Sequence, residues 1–216
     1  MNLYAALTQA ANQLQLSQAD LFGYPVQDPH GGYASTHDDG FPVGSTWRVE
    51  GQFLYSLVRA LRPARVLEIG TWHGCGATHI LQALHDTGGE GWMNSVDCGI
   101  EISIDSVGDM IPTELRYRWT LDKTTIEDFT MARFRAPYDF IFEDAMHSPE
   151  QVQFIWSQIP KLLKPGGVIV SHDAAHFIVG PDVREGIRRA GYDATVYAIE
   201  PADCGLAVWQ SQTPVV

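Results

Sequence analysis

The stretch Val66-Leu67-Glu68-Ile69-Gly70-Thr71-Trp72-His73-Gly74 decides the fold. An apolar run ends in an acid and breaks into a glycine-punctuated turn. Ala77 to Leu84 downstream reads as a helix. Strand, glycine turn and helix make the first unit of a nucleotide-binding α/β fold, and the turn says which nucleotide. A dinucleotide turn needs glycine at its second position, so that backbone can approach a pyrophosphate. Trp72 stands there, and its indole would block the phosphates. Gly70 and Gly74 leave a looser turn around a phosphate-free ligand. Asp97 follows the next apolar run, Trp92 to Val96, and a carboxylate at a strand tip can accept both hydroxyls of a ribose. Glu68 can accept from a ligand ammonium. Two acids without a phosphate cradle suit a cationic nucleoside.

With these residues the sequence resembles the class I S-adenosylmethionine-dependent methyltransferases, from about Trp47 to the end. Glu68 to Gly74 is similar to their first motif, and Asp97 matches their ribose-binding acid. Tyr138-Asp139-Phe140-Ile141-Phe142-Glu143-Asp144 is similar to their fourth strand, and Leu162 to Val170, with Lys164-Pro165-Gly166-Gly167, to the turn and strand after it. The resemblance implies S-adenosylmethionine as cofactor, with Glu68, Gly70, Thr71, Trp72, Gly74, Asp97, Asp122 and Asp144 around it. For Asp122-Lys123-Thr124 the alternatives are adenine contact and a helix cap.

The chain has 216 residues, 45% hydrophobic and 19% charged, enough for one α/β domain with a full core and a small extension. A formal net charge of −12 repels phosphate backbones and anionic lipid. The expectation is a cytoplasmic enzyme with a small-molecule substrate, no nucleic-acid or membrane partner, and a homodimer as one possible assembly. Cys75, Cys98 and Cys204 match neither a zinc site nor Cys-x-x-Cys and read as reduced thiols, Cys75 beside the cofactor pocket. Met1 to Asp20 lacks a basic n-region and a long apolar run, so no signal peptide is expected.

Along the chain, Leu3 to Leu16 is helical in pattern. Leu21 to Thr46, rich in Gly and Pro with aromatic Phe22, Tyr24, Tyr33 and Phe41, reads as a lid loop. Residues 1–46 therefore form an N-terminal helix and lid, and 47–216 the cofactor-binding domain. Trp47 to Leu61 is an amphipathic helix. Strands are expected at 65–69, 92–96, 116–121, 138–142, 167–171, 193–198 and 205–209. Helices fall at 76–86, irregularly at 101–112, and at 124–132, 149–163 and 181–190. This alternation predicts a Rossmann-like, doubly wound, mostly parallel seven-stranded sheet with an N-terminal helical cap. Ligands then sit beyond the carboxyl ends of the strands, where Glu68, Asp97, Asp122, Asp144 and Asp173 fall.

Asp144 and His147 lie in Asp-Ala-Met-His after the fourth strand, and Asp173 in Ser-His-Asp after the fifth. Neighbouring strands are about 4.8 Å apart, and two carboxylates so close repel unless a cation or proton lies between them. Oxygen ligands with open positions suit Mg²⁺ or Mn²⁺. His172 can add a nitrogen, although adjacent strand residues face opposite ways. His147 can reach the crevice as a general base, or sit beside the cap formed by Ser148-Pro149-Glu150. Asp173 can instead orient His176 or cap the next segment. The resemblance extends to metal-dependent O-methyltransferases of the catechol and sugar types. These carry an acid at Asp144, an acid or Asp-Asn pair around Asp173 and a base three residues after the first acid, which Asp144-Ala-Met-His147 matches. The second member of the distal pair is here His172 or Ala174, neither a carboxylate nor an amide. Glu50-Gly51-Gln52 is similar to the catechol-type segment that closes over the cofactor. The expected activity is O-methylation of a sugar, phenol or secondary metabolite, with Asp144, His172 and Asp173 at the metal and His147 and Asp144 catalytic. The alternatives are metal-free catalysis by His147 and a non-catalytic cofactor-binding module.

Overall fold

A computed structural model describes residues 1–17, 19, 21, 46–132, 137–200, 202 and 204–212. Seven strands, β1 (Arg65–Ile69), β2 (Trp92–Asp97), β3 (Trp119–Lys123), β4 (Tyr138–Glu143), β5 (Leu163–Ser171), β6 (Thr195–Tyr197) and β7 (Leu206–Gln210), form one sheet. Their order is β3-β2-β1-β4-β5-β7-β6. All neighbours run parallel except β7, which is antiparallel to both β5 and β6. The first strand pairs with β2 on one side and β4 on the other. Strand order reverses at that point, and ligands of open α/β sheets bind in the crevice it leaves.

Seven α-helices flank the sheet among the described residues: α1 (Leu3–Leu14), α2 (Arg48–Leu61), α3 (Cys75–Asp86), α4 (Ile126–Ala132), α5 (Pro149–Ser157), α6 (Ile159–Leu162) and α7 (Gly180–Arg189). Val66, Phe140, Phe142, Val168 and Val170 point to one face of the sheet. There they bury Ala6, Leu7 and Ala10 of α1, Phe53, Leu54 and Leu57 of α2, and Ile80 and Leu81 of α3. Leu67, Ile69, Ile141 and Ile169, the alternate residues, face Phe129 of α4, Ile155 and Trp156 of α5, and Val183 and Ile187 of α7. Period-two strands between period-3.6 helices give the two half-cores.

Leu3–Leu14 does not stand apart from the body. Asn2 caps it by accepting from Ala5 N at 2.9 Å, the Met1 amino group donates to Ala198 O, and Gln13 Nε2 donates to Val208 O. The lid read into 21–46 lies almost wholly outside the described residues. Among the described residues, no helix is long and apolar enough to cross a membrane.

Three expected boundaries moved. The helix expected at 101–112 is a run of turns. Its backbone N–H groups at Gly108 and Met110 donate to Trp72 O and His73 O, so the Gly70–Gly74 turn takes bonds a helix would need. The third strand begins at Trp119, because Thr113–Arg118 is a 3₁₀ helix held by Arg116 donating to Ile111 O and Gly108 O. Helix 149–163 breaks at Gln158, just before Pro160, and Leu163 already belongs to β5.

Candidate active site

The turn after β1 is locked to the two strands beside it. Gly70 adopts φ +82°, and its N–H donates to Val96 O. A Cβ there would stand 2.2 Å from Asp144 O, so glycine is required by both conformation and space. Trp72 is held at φ 47°, unusual for a bulky side chain. Asp97 enforces it: Oδ2 accepts from Thr71 N (2.8 Å) and Trp72 N (3.0 Å), and Oδ1 from Gly99 N (2.7 Å). The acid expected to take ribose hydroxyls therefore also ties β2 to the turn.

Glu68 is 1% exposed. Its Oε2 accepts from Thr71 Oγ1 (2.9 Å) and Ser95 Oγ (2.5 Å). Burial pushes its carboxyl up to about 8, with the two hydroxyls opposing. Glu143 is pushed up by burial as well.

Beyond the strand ends lies a cavity of about 470 Å³, lined by Gly70, Trp72, Asp97, Cys98, Ile100, Ile102, Thr124, Thr125, Asp144, Met146, His147 and Gln151 among others. Gly70, Trp72, Asp97, Asp144 and His147 were expected at such a wall. Glu68, Thr71, Gly74 and Asp122 are not among its lining residues. Glu68 and Thr71 bond each other behind the turn, Gly74 packs at Ile111, and Asp122 Oδ2 accepts from Asn94 Nδ2 (3.1 Å), joining β3 to β2. Thr124 and Thr125 take the wall position foreseen for Asp122. Cys98, not Cys75, reaches the cavity; Cys75 Sγ donates to Thr46 O. Thr124 belongs to the Asp122-Lys123-Thr124 segment expected near adenine, whereas nothing in the sequence singles out Ile100, Ile102, Thr125 and Gln151, although the first three follow the carboxyl ends of β2 and β3, where the crevice rule points.

At the end of β4 and β5 one ligand atom each of Asp144, His147 and Asp173 lies within 4.8 Å of the other two. His147 Nε2 stands 2.9 Å from Asp173 Oδ2 and 3.9 Å from Asp144 Oδ1. His172 joins them, its Nδ1 3.2 Å from Asp144 Oδ1 and 3.3 Å from Asp173 Oδ2. Strand alternation would have separated His172 from Asp173. Asp173 instead adopts φ 59°, which ends the extended conformation and brings both side chains to one crevice. Ser148 caps α5, its Oγ accepting from Gln151 N, so His147 lies beside the cap as well as in the crevice. His176 is not held by the Asp173 carboxylate; its Nδ1 accepts from Ile178 N and Val179 N. Glu50 does not close over the cavity. It is buried beneath His172, Oε2 lying 3.0 Å from Nε2.

Charge in this cluster is mutually compensated. Burial alone would lower both imidazoles, but the carboxylates outweigh it: His147 is pushed up to about 10, and His172 also rises well above the ordinary histidine range. Burial would raise Asp144 and Asp173, and the histidines drive both well below the usual carboxylate range instead. Yet neither His147 Nε2 nor His172 Nδ1 has a hydrogen-bond partner in line among the described residues, despite these short approaches. Two carboxylates and two buried, unaligned ring nitrogens converging on one space fit the donor set of a divalent cation.

The profile of a family described as a methyltransferase domain matches residues 67–174. No curated protein matches the chain. Among solved structures, the O-methyltransferase TomG from Streptomyces achromogenes, involved in tomaymycin synthesis and solved with S-adenosylmethionine, is 19% identical. It aligns with TM-score 0.65 over 93% of this chain and 98% of that one. An O-methyltransferase from Bacillus cereus, solved with S-adenosylhomocysteine, is 18% identical, with TM-score 0.64 over 96% and 97%. A fibrillarin pre-rRNA processing protein from Methanococcus jannaschii shares 18% identity and TM-score 0.55 over 70% and 68%. At these identities the likeness is one of fold.

Proposed function

Given that the chain belongs to the methyltransferase-domain family, we propose that it transfers a methyl group from S-adenosylmethionine to a hydroxyl of a small molecule, assisted by a divalent cation. The observation that carries the reading is the convergence of Asp144, His147 and Asp173 beside the cavity walled by Gly70, Trp72 and Asp97. Neighbours of the same fold solved with S-adenosylmethionine or S-adenosylhomocysteine support the donor. The fibrillarin likeness raises RNA as an alternative acceptor, but a chain of net charge −12 is poorly suited to a phosphate backbone.

Each residue has a job in this reading. Gly70 admits the donor beside the Asp144 backbone, Trp72 walls it, and Asp97 holds the turn and faces the nucleoside. Glu68, Thr71, Gly74 and Asp122 support these elements from behind. Asp144, Asp173 and His172 would hold Mg²⁺, Mn²⁺ or a related ion, which when bound lowers the pKa of an acceptor hydroxyl. His147 faces the same space from the cavity side and is placed to receive the hydroxyl proton. With both carboxylates turned on it, His147 is pushed up to about 10 and keeps its proton, whereas a cation neutralising Asp144 and Asp173 would free it to accept one. This favours the metal-assisted over the metal-free reading.

Calorimetry with S-adenosylhomocysteine and with NAD tests the donor, and binding of the first alone is expected. Methyl transfer from S-adenosylmethionine to a panel of catechols, phenols and sugars then tests the chemistry. Chelation should abolish it, and His147→Ala should lower it on the order of 10²–10⁴-fold. Absence of S-adenosylhomocysteine binding would sink the reading. Chelator insensitivity would select His147 acting without a cation.

A further inference from the structure

Glu50 lies on the far side of His172 from the cavity. Glu and His are both wholly buried as side chains, and a buried carboxylate persists only where its oxygens are taken up. Glu50 Oε1 accepts from Gly205 N at 2.5 Å. Its Oε2 accepts from Trp47 N at 3.3 Å and lies 3.0 Å from His172 Nε2. The acid is therefore clamped from three directions: the start of its own helix, the loop before β7 and the imidazole. A carboxylate can only accept, so the ring nitrogen facing it must carry the hydrogen. With that hydrogen kept on Nε2, a cation competing for the other nitrogen, Nδ1, meets its lone pair. That nitrogen is buried, has no aligned partner, and looks into the space between Asp144 Oδ1 and Asp173 Oδ2.

We propose that Glu50 is a positioning residue: by accepting the Nε2 hydrogen of His172 it fixes Nδ1 as a ligand, so that the site between Asp144 and Asp173 is a mixed nitrogen–oxygen site that prefers late first-row ions such as Co²⁺ over Mg²⁺. The inference rests on the reading that a divalent cation binds there at all. An all-oxygen site suits Mg²⁺, whereas each imidazole shifts preference toward Co²⁺ and Ni²⁺. Carboxylates that orient a ligating histidine contribute about 10- to 100-fold to metal affinity.

Chelator-treated full-length protein titrated with Co²⁺ and with Mg²⁺ tests this, with the Co²⁺ absorption bands recorded alongside. Wild type is expected to bind Co²⁺ at least about tenfold tighter than Mg²⁺. Glu50→Gln should weaken Co²⁺ binding about 10- to 100-fold and shift the bands, while leaving Mg²⁺ affinity nearly unchanged. His172→Ala should do the same, and the double variant should be no worse than His172→Ala alone. Circular dichroism and melting verify folding. Wild-type Co²⁺ affinity in Glu50→Gln, or losses that add in the double variant, overturn the role of Glu50. Failure of wild type to bind either ion overturns the cation reading and this inference with it. If Glu50→Gln does not fold, Mn²⁺ bound to His147→Ala decides: pulsed EPR should show ¹⁴N coupling from His172, and its absence overturns the proposal.

Discussion

Glu68 shows how one buried side chain couples the site to pH. Its carboxyl is raised to about 8 by burial, against 4.5 in the open chain. Between these values the folded protein keeps a proton that the unfolded chain has released. Stability contributed by the neutral acid is therefore complete below about pH 4.5 and is lost as pH rises toward 8. Glu143, also raised, acts in the same direction. Glu68→Gln keeps an oxygen for Thr71 and Ser95 and has no proton to lose. Urea unfolding of the two proteins from pH 5 to 8.5 is expected to show the variant gaining on wild type as pH rises. Parallel curves would mean that Glu68 is ionised in the fold. The acid was legible in the sequence as a strand-end carboxylate. Its partner was not, because Ser95 lies 27 residues away and meets it only through the β1–β2 register Glu68↔Ser95.

The turn joining β1 to α3 is strained where it faces the crevice. Gly70 needs a positive φ and has the Asp144 carbonyl 2.2 Å from where a Cβ would be. Gly88, after α3, also has a positive φ (+70°), but nothing lies within 4 Å of its Cβ position. Conformation alone costs an L-residue roughly 1–2 kcal/mol, so Gly88→Ala is expected to lose about that much. Gly70→Ala must in addition move the β4 end, and should lose clearly more, together with affinity for S-adenosylhomocysteine. Equal losses in chemical denaturation would show that the clash is relieved cheaply. The motif spacing exposed Gly70 as special from the sequence. The turns at 101–111, by contrast, read as helical from the sequence, because the carbonyls of Trp72 and His73 that accept their N–H groups are remote in sequence.

At the scale of the molecule, α1 is part of the core beneath the sheet rather than an appendage. Leu7 is 3% exposed and belongs to the same apolar cluster as Phe53, Phe140 and Val168. Leu7→Ala is expected to destabilise the whole protein by about 2–5 kcal/mol, moving one cooperative transition seen by both near- and far-ultraviolet circular dichroism. A separate early transition would instead mark the N-terminal helix as independent. The alternating α/β order, the glycine-punctuated turn after β1 and the strand ends at which acids gather are all written in the sequence, because these depend on local periodicity and on glycine at particular spacings. That Thr71 and Asp97 hold the turn, that His172 and Asp173 share one crevice through a left-handed backbone at Asp173, and that Glu50 stands behind His172 emerges only in the folded chain. Those relations depend on which strands lie side by side and on one residue's departure from extended geometry. Neither leaves a periodic trace along the chain.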